Sequence, residues 1–419
     1  MTGMPVAFAF VVINVAGVAI LWGGAPGLRQ LTLSFFDSLS SFVLVPVPLF
    51  LLMGEVMFYS GLAPYLIETV DKWLGRLPGR LGLLAVCAGT IFSTLTGTSM
   101  ASTAMLGATL VPEMEKRGYK KSMSLGPILG SGGLAMMIPP SALAVLLCAI
   151  GRISIGKTLI AIIIPGLLMA LLYALYIIIR CRLQASIAPP YEVALPPLSQ
   201  RLIATAKYIL PLGFIVFLVV GVIFLGIATP SEAAATGAVG TILLAAAYRR
   251  MNWKILKKSL SGTIRVTVMV LMIIVGATAF GSILSYTGAT RGLSEFTLGL
   301  PLAPILIVIA MQVVILFLGG FMDVVAIMMI TLPIFVPVIT SLGFDPVWFA
   351  VIFLLNIEMA TTSPPFGLCL FVMKGVAPPD TTMGDIYRAA LPFLGCDLIA
   401  MAIIIAFPTL SLWLPGLMR

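Results

Sequence analysis

The sequence predicts an all-α polytopic membrane protein with two inverted-topology repeats, each containing a re-entrant helical hairpin and a discontinuous transmembrane helix. Three observations lead to this prediction. Charged residues make up 9% of the chain and hydrophobic residues 60%, whereas charged residues are roughly a quarter of a soluble domain. Two Pro-Pro pairs interrupt apolar segments 225 positions apart. Basic residues concentrate in alternate loops, as membrane topology requires.

Composition also disfavours other functional classes. Histidine is absent, which removes the usual general base and the commonest zinc ligand, so a membrane enzyme is not expected. The five cysteines are scattered singly, without metal-ligand spacing. The net charge of +9 includes no basic run interleaved with aromatic residues, so we attribute it to topology rather than to nucleic-acid binding. At roughly 20 residues per spanning helix, the length accommodates about a dozen passes.

The first half begins with scaffold-like segments and then a hairpin. Spanning helices are expected from Pro5 to Trp22 and from about Leu39 to Phe58, with a polar connection at 29–37 between them. Residues 60–75 have the pattern of an amphipathic helix at the membrane interface. The apolar segment 81–112 is too long for one span and too short for two. Because both of its flanks are basic, it predicts a re-entrant hairpin with its tip near Gly97 to Ser99.

The segment from Gly130 to Ser141, GSGGLAMMIPPS, contains three glycines and two adjacent prolines within an apolar stretch. Each proline removes a backbone donor and disfavours helix at the preceding residue, so the helix should break near Ile138. The backbone groups freed by such a break persist only in protein or in a water-filled cavity, which makes the break a candidate ion or substrate site. A proline kink with only a packing role is the alternative.

The rest of the chain repeats this pattern. A span at 159–179 and a proline-rich linker at 184–200 precede the second half. There we expect spans at 210–227, 233–248, 266–286 and 389–407, a basic loop at 249–258, an amphipathic piece at 287–299, a hairpin at 302–337 broken at Gly319-Gly320, and a discontinuous helix at 347–376 broken at 361–367.

The register of the repeat determines its orientation. Val111-Pro112 and Gly118-Tyr119 match Val336-Pro337 and Gly343-Phe344 with the same 225-residue shift as the Pro-Pro pairs. The loop around Arg117 is strongly basic, whereas its counterpart has no basic residue, so the two halves should be inverted. Alternating the loops on this basis places 19 of the 24 Lys and Arg residues on the cytoplasmic side and five outside, namely Arg29, Arg152, Lys157, Arg291 and Arg419. Inverted repeats of this kind are typical of secondary transporters.

Several motifs also point to a known family. They are PLFLLMGEVMFYSGLA at 48–63, GRLPGRLG at 75–82, IPPS at 138–141, SIGKTLIAIIIPG at 154–166, IATPSEAAATGA at 227–238, FMD at 321–323, GFDPVWFAVIFLLNIEMATTSPPFGLCLF at 343–371 and RAALPFLG at 388–395. With these motifs in the family's order, the sequence resembles the large membrane subunit of tripartite ATP-independent periplasmic (TRAP) transporters, in the ion transporter superfamily. One departure is that the family's helix before Met4-Pro5 is missing, so either the start is truncated or this member lacks the helix.

The resemblance implies sodium-coupled import of an organic acid across the bacterial inner membrane by an elevator-type movement. It also implies two partners, a small four-helix membrane subunit and a periplasmic substrate-binding protein. An ion channel or passive anion pore is the competing class. The expected organisation is a first repeat at 1–185 with scaffold 1–75 and transport part 81–181, a linker at 186–205, and a second repeat at 206–419 with scaffold 206–299 and transport part 302–407.

Candidate site residues follow from the resemblance and from oxygen chemistry at the breaks. The first sodium site is assigned to Gly97, Thr98, Ser99, Gly133, Ile138 and Pro139. The second is assigned to Gly320, Asp323, Thr361, Thr362 and Ser363. No Lys or Arg occupies the central segments, so a substrate carboxylate would meet backbone amides at half-helix starts, sodium, and residues Ser99, Ser102, Thr103, Pro140, Ser141 and Pro365.

Four acidic residues lie in predominantly apolar segments. Asp323 is the strongest candidate for a cation ligand. An unpaired carboxylate near mid-membrane costs roughly 3 kcal/mol or more, and a bound cation would compensate its charge. The alternative is that Asp323 caps the helix that restarts after Gly320. Glu358 is either functional or a satisfied polar residue of the broken helix. Glu55 and Asp397 are expected near membrane ends or packed internally.

Overall fold

The computed structural model describes residues 6–75, 77–96, 98–189 and 196–418, and these ranges contain helices and turns but no β-strand. Short 3-10 turns occur at Phe42–Leu44 and Ala185–Ile187. The helices of the first half are α1 (Val6–Leu21), α2 (Ala25–Leu39), α3 (Pro46–Ser60), α4 (Ala63–Asp71), α5 (Arg80–Thr96), α6 (Ser99–Lys116), α7 (Lys121–Met137), α8 (Ala142–Gly151), α9 (Ile155–Ala161) and α10 (Ile163–Leu183).

The second half opens with a span that contains two π-helical segments, Thr205–Ile209 and Phe217–Gly221. Its α-helical parts and the helices that follow are α11 (Leu198–Ala204), α12 (Leu210–Val216), α13 (Val222–Phe224), α14 (Pro230–Ala247), α15 (Trp253–Tyr286), α16 (Ala289–Leu298), α17 (Pro304–Gly319), α18 (Val324–Ser341), α19 (Pro346–Thr362), α20 (Leu368–Val376), α21 (Met383–Ala406) and α22 (Thr409–Gly416). Helix α22 was not anticipated from the sequence.

The two predicted hairpins and both predicted helix breaks are present. Helices α5 and α6 form the first hairpin, and α17 and α18 form the second. Helix α7 ends at Met137, Ile138 is extended, and the chain turns by 47° before α8. The corresponding break separates α19 from α20, and the peptide bond between the two prolines is cis in both breaks. The prolines therefore interrupt the two repeats in the same way.

The prediction of a polar connection at 29–37 is wrong, because these residues belong to α2. Pro26 occupies the first turn of this helix, where a proline is tolerated. Leu31 is buried in a small cluster with Val18 of α1 and Ile283 of α15. The apolar stripe of α2 therefore packs against residues outside α2, and local sequence patterns do not predict such contacts.

Other boundaries also shift. The second span begins at Pro46 rather than near Leu39, because a proline is favoured at the first position of a helix, where no backbone donor is needed. The predicted basic loop at 249–258 is short, because Asn252 caps α15 by accepting from Ile255 N at 2.9 Å. Helix α15 therefore runs 34 residues, through the basic segment into the span. The end of the predicted linker is likewise helical, from Leu198.

The number of full spans is lower than the dozen that length alone accommodates. By length and composition, six helices among the described residues could cross a membrane, or seven if α7 and α8 count as one bent span. Four further apolar helices or helix segments have only 10–17 residues. The arms of the hairpins and the halves of the broken helices are apolar but shorter than the roughly 20 residues of a full span, so they lower the number of spans.

The helices form two packing regions that meet along α3 and α15. Helix α3 lies against α14 and α15, and α15 also contacts α1. In the other region, α7 packs against both arms of the first hairpin and against α10, α19 and α21, while α17 and α18 pack against α19. Contacts of α3 with α5 and of α15 with α18 connect the regions. The hairpins and broken helices therefore form one body beside a scaffold of long helices.

Candidate functional site

The two hairpins and both broken helices meet the scaffold at one cavity of about 210 Å³. Its lining is mostly apolar and includes Val47 and Leu51 from α3 and Met269 from α15. Its polar side chains come from both repeats and are Thr98, Ser99, Asp323 and Thr361. No basic residue lies among the described lining residues. The structure thus brings part of the first predicted sodium site and part of the second into a single cavity.

The tip of the first hairpin supplies Thr98 and Ser99. Thr98 is extended and precedes α6, and Ser99 is the first helical residue, buried with 3% exposure. Gly97 lies outside the described residues. The hairpin packs closely on the glycines of α7, since a Cβ atom at Gly132 would lie 2.2 Å from Thr103 Oγ1. Gly132, one of the three glycines in the predicted break segment, therefore allows the hairpin to approach the α7 backbone.

The break after α7 is buried from Ile138 to Ser141. Ile138 N still donates to Leu134 O at 2.9 Å, and Ser141 Oγ accepts from Ala144 N at 3.3 Å as the cap of α8. Gly166 of α10 approaches so closely that a Cβ atom there would lie 2.4 Å from Met137 O. The N-terminus of α8 enters the cavity through Ala142, whereas Pro139 and Ser141 do not line it.

The tip of the second hairpin places Asp323 at the cavity. Asp323 precedes α18 and its Oδ2 accepts from Val325 N at 3.2 Å, so it does cap the restarted helix. Its other carboxylate oxygen is not used by this cap. Gly320 is buried beside the second break, where a Cβ atom would lie 3.7 Å from Pro365 Cδ. Capping and cation binding are therefore compatible at Asp323.

The end of α19 supplies three hydroxyl groups. Thr361 Oγ1 donates to Glu358 O at 2.9 Å, Thr362 Oγ1 donates to Met359 O at 3.2 Å, and Ser363 is partly buried. A second, small cavity of about 10 Å³ lies between this break and the second hairpin, next to Thr361. That volume is on the order of one water molecule or one small ion.

Glu358 is the residue whose importance the sequence left open. It is 1% exposed and accepts from Ser99 Oγ at 3.3 Å, across a separation of 259 residues. A Cβ atom at Gly133 would lie 1.3 Å from Glu358 Oε1, so this carboxylate lies directly against the α7 backbone. An acidic residue within a largely apolar helix was the available sequence signal, but it did not identify the partners of Glu358.

The residues predicted to bind substrate are not all brought together. Ser99 lines the cavity, whereas Ser102, Thr103, Pro140 and Ser141 are buried behind it. Pro365 is exposed, and its carbonyl oxygen accepts from Tyr387 Oη of α21 at 3.0 Å. Of the hydroxyl groups predicted on the first hairpin to bind substrate, only that of Ser99 therefore lines the cavity.

Two larger cavities lie on the side predicted to face outward. They measure about 550 and 900 Å³ and share Arg152, Thr278 and Ser282. Arg152 ends α8 in a left-handed conformation with φ 53°, and it forms no salt bridge among the described residues. The smaller cavity also contains the Asp37 carboxylate, so attraction of anions by the cationic side chain of Arg152 would act mainly in the larger one.

The donor atoms around the 210 Å³ cavity are suited to a hard cation. Hydroxyl, carboxylate and freed backbone oxygens are the ligands that sodium takes at broken helices. Ser99, Asp323 and Thr361 present such oxygens to the cavity, and no sulfur or imidazole ligand is required. Bound sodium would supply positive charge next to Asp323. The residues present therefore fit the predicted ion.

Comparisons with known proteins agree with this architecture. The 419-residue chain is 32% identical over 400 residues to the C4-dicarboxylate TRAP transporter large permease protein DctM of Pseudomonas aeruginosa, covering 95% of the chain and 92% of the relative. It is 27% identical over 418 residues to the sialic acid TRAP transporter large permease protein SiaM of Vibrio cholerae, covering 99% and 95%. The fold resembles the crystal structure of the Alcanivorax borkumensis YdaH transporter, with a TM-score of 0.71, 15% identity and 99% of both chains covered.

The match also extends to a family description. Residues 1–410 match the model of the tripartite ATP-independent periplasmic transporter, DctM component. This range includes both hairpins, both breaks and all residues of the cavity. The chain therefore belongs to the DctM component family, the large multi-pass membrane permeases of TRAP transporters.

Proposed function

We propose that this permease imports an organic acid by sodium symport, with the hairpin body moving against the scaffold in an elevator-type cycle. The observation that carries the proposal is the 210 Å³ cavity, which lies between the two packing regions and contains polar groups from both hairpin tips and the second break. A site at such a boundary can be exposed to one side and then the other as the body moves.

Electrostatics explains why sodium would be needed. The cavity presents the Asp323 carboxylate and no basic side chain among its described lining residues, so it would repel an anionic substrate. Sodium bound beside Asp323 removes this repulsion, and the N-terminus of α8 at Ala142 adds positive helix-dipole potential. A carboxylate substrate would then bind only after, or together with, the cation.

The substrate class and the partners are part of the same proposal. Two of the relatives are named for C4-dicarboxylate and sialic acid, which are organic acids, and these two names support an organic anion as substrate, whereas another relative is named for ectoine. The family is tripartite, which supports a periplasmic binding protein and a small membrane subunit as partners in the bacterial inner membrane. Arg152 in the outer cavities would favour the approach of the anion delivered by that binding protein.

The test is uptake into proteoliposomes that contain the permease and the small subunit, with the cognate binding protein outside. Candidate organic acids are supplied with an inward sodium gradient, with potassium replacing sodium in the control. We expect accumulation above the outside concentration that depends on sodium and on the binding protein. Equilibration without accumulation would instead indicate the channel or passive pore.

A further inference from the structure

We propose that the Glu358 carboxylate is the anionic ligand of the first sodium site, so that a residue of the second repeat completes a site formed by the first. This inference rests on the proposed sodium coupling and assigns the charge that the first site otherwise lacks. The residues predicted for that site supply hydroxyl and backbone oxygens but no carboxylate. The second site has its own carboxylate in Asp323.

Glu358 lies against residues of the first site. Glu358 belongs to α19, yet its Oε2 lies 3.3 Å from Ser99 Oγ and its Oε1 lies against Gly133. Ser99 and Gly133 are both residues assigned to the first site from the sequence. Gly133 has no side chain, so the carboxylate reaches the α7 backbone itself. Three elements, α6, α7 and α19, thus converge on one carboxylate.

The burial of Glu358 leaves its charge uncompensated by the described residues. Glu358 is 1% exposed and forms no salt bridge among the described residues. A second buried carboxyl group, Asp397 of α21, lies near it and is already hydrogen-bonded to Tyr173. A buried carboxylate without a cationic partner is strongly unfavourable. A bound cation would remove this penalty, as would a proton, and the Ser99 hydroxyl beside the carboxylate favours the cation because it adds a second oxygen ligand.

A buried hydroxyl with only a weak partner lies close to these groups. Thr103 lies one helical turn after Ser99 on α6 and is fully buried, and its Oγ1 has no oxygen or nitrogen partner among the described residues, only the thiol of Cys369. This atom faces Gly132, the neighbour of Gly133, as does Ser99 O. A thiol is a weak hydrogen-bonding group, so the hydroxyl oxygen remains available as a further cation ligand.

The test measures sodium binding to the purified permease through its thermal stability, with potassium chloride keeping ionic strength constant. We expect sodium to stabilise the wild type. Glu358→Gln should raise the sodium concentration for half-maximal stabilisation at least about tenfold, since the number of ligand charges sets cation affinity. Without sodium, the variant should be as stable as the wild type or more so, because a buried unpaired charge is gone. Asp397→Asn, which removes the other buried carboxylate, should leave the sodium dependence unchanged.

Other outcomes separate the two hypotheses. A wild type that sodium does not stabilise would refute the proposed coupling. A sodium-stabilised wild type with an unchanged midpoint in Glu358→Gln would refute only the role of Glu358. If Glu358→Gln does not fold, Asp323→Asn provides the second measurement, because it keeps Glu358 and should still be stabilised by sodium. Loss of all sodium stabilisation in Asp323→Asn would overturn the inference.

Discussion

Asn356 of α19 donates to both the backbone and the side-chain oxygen of Gln312 on α17, at 2.6 and 2.9 Å. Both residues are buried in the apolar contact between the second hairpin and the broken helix. The position of Asp323 relative to Thr361 depends on this contact, because α17 leads directly to the hairpin tip. This pair of side-chain amides therefore fixes the position of the second hairpin relative to α19, and with it the geometry of the second site.

Asn356→Ala should destabilise the protein by about 1–3 kcal/mol, since buried acceptors on Gln312 lose their donor. Sodium-driven uptake should fall together with stability, because the hairpin is no longer held in register. Thermal unfolding of the purified permease measures the first effect. Thr109→Ala, which removes an exposed hydroxyl bonded only within α6, is the control and should change stability little. Equal effects of the two substitutions would contradict the role of the amide pair.

Asp323→Asn should abolish sodium-driven uptake while the protein remains folded. Asparagine keeps the capping oxygen for Val325 N but removes the charge that sodium would compensate. Asp345→Asn is a matched control, because Asp345 caps α19 in the same manner, with Val347 N at 2.7 Å, outside the cavity. The measurement is uptake against sodium concentration in proteoliposomes. If uptake by Asp323→Asn depended on sodium as in the wild type, Asp323 would be a helix cap and not a sodium ligand.

Gly133→Ala should destabilise the protein by about 2–3 kcal/mol, because the added methyl group would overlap the Glu358 carboxylate. The double variant with Glu358→Ala should recover most of this stability but not transport. Gly395→Ala in α21 is the control, since a Cβ atom there meets nothing within 4 Å and alanine favours helix. Thermal unfolding of the wild type, both single variants of the pair, the double variant and Gly395→Ala tests this. Additive effects of the two substitutions would show that they do not interact.

Arg152→Asn should slow uptake of the organic anion at low substrate concentration, and added salt should diminish the difference from the wild type. Asparagine tolerates the left-handed conformation of this position, so the charge is the main change. Arg249→Asn is the control, because Arg249 is also left-handed with φ 57° but lies on the predicted cytoplasmic side. Initial uptake rates at several salt concentrations decide the outcome. Equal slowing by both variants would exclude attraction at the outer cavity.

The breaks and hairpins could be predicted because their causes are local. Pro139-Pro140 and Pro364-Pro365 interrupt a helix whatever surrounds them, and their repetition shows that the break is part of the architecture. Helix α2 was missed because its polar sequence becomes helical against Val18 and Ile283, which are distant in sequence. Local patterns therefore predicted where helices stop better than where marginal helices form.

The site was predictable only in part, for a related reason. Ser99, Asp323 and Thr361 lie at breaks, so their backbone context identified them, and the structure places all three at one cavity. The contact between Glu358 and Gly133 joins residues of different repeats. The sequence around either residue gives no indication of its partner. Identifying this pair requires the packing of α7 on α19, which is a tertiary property.

The shared cavity of the two hairpin tips has a thermodynamic consequence. If sodium at Asp323 raises the affinity for an organic anion in the same cavity by some factor, the anion must raise the affinity for sodium by that same factor. Neither dissociation constant is then a fixed property of the permease. Each has meaning only at a stated concentration of the other solute, and binding measured without sodium would underestimate the affinity at which the transporter operates.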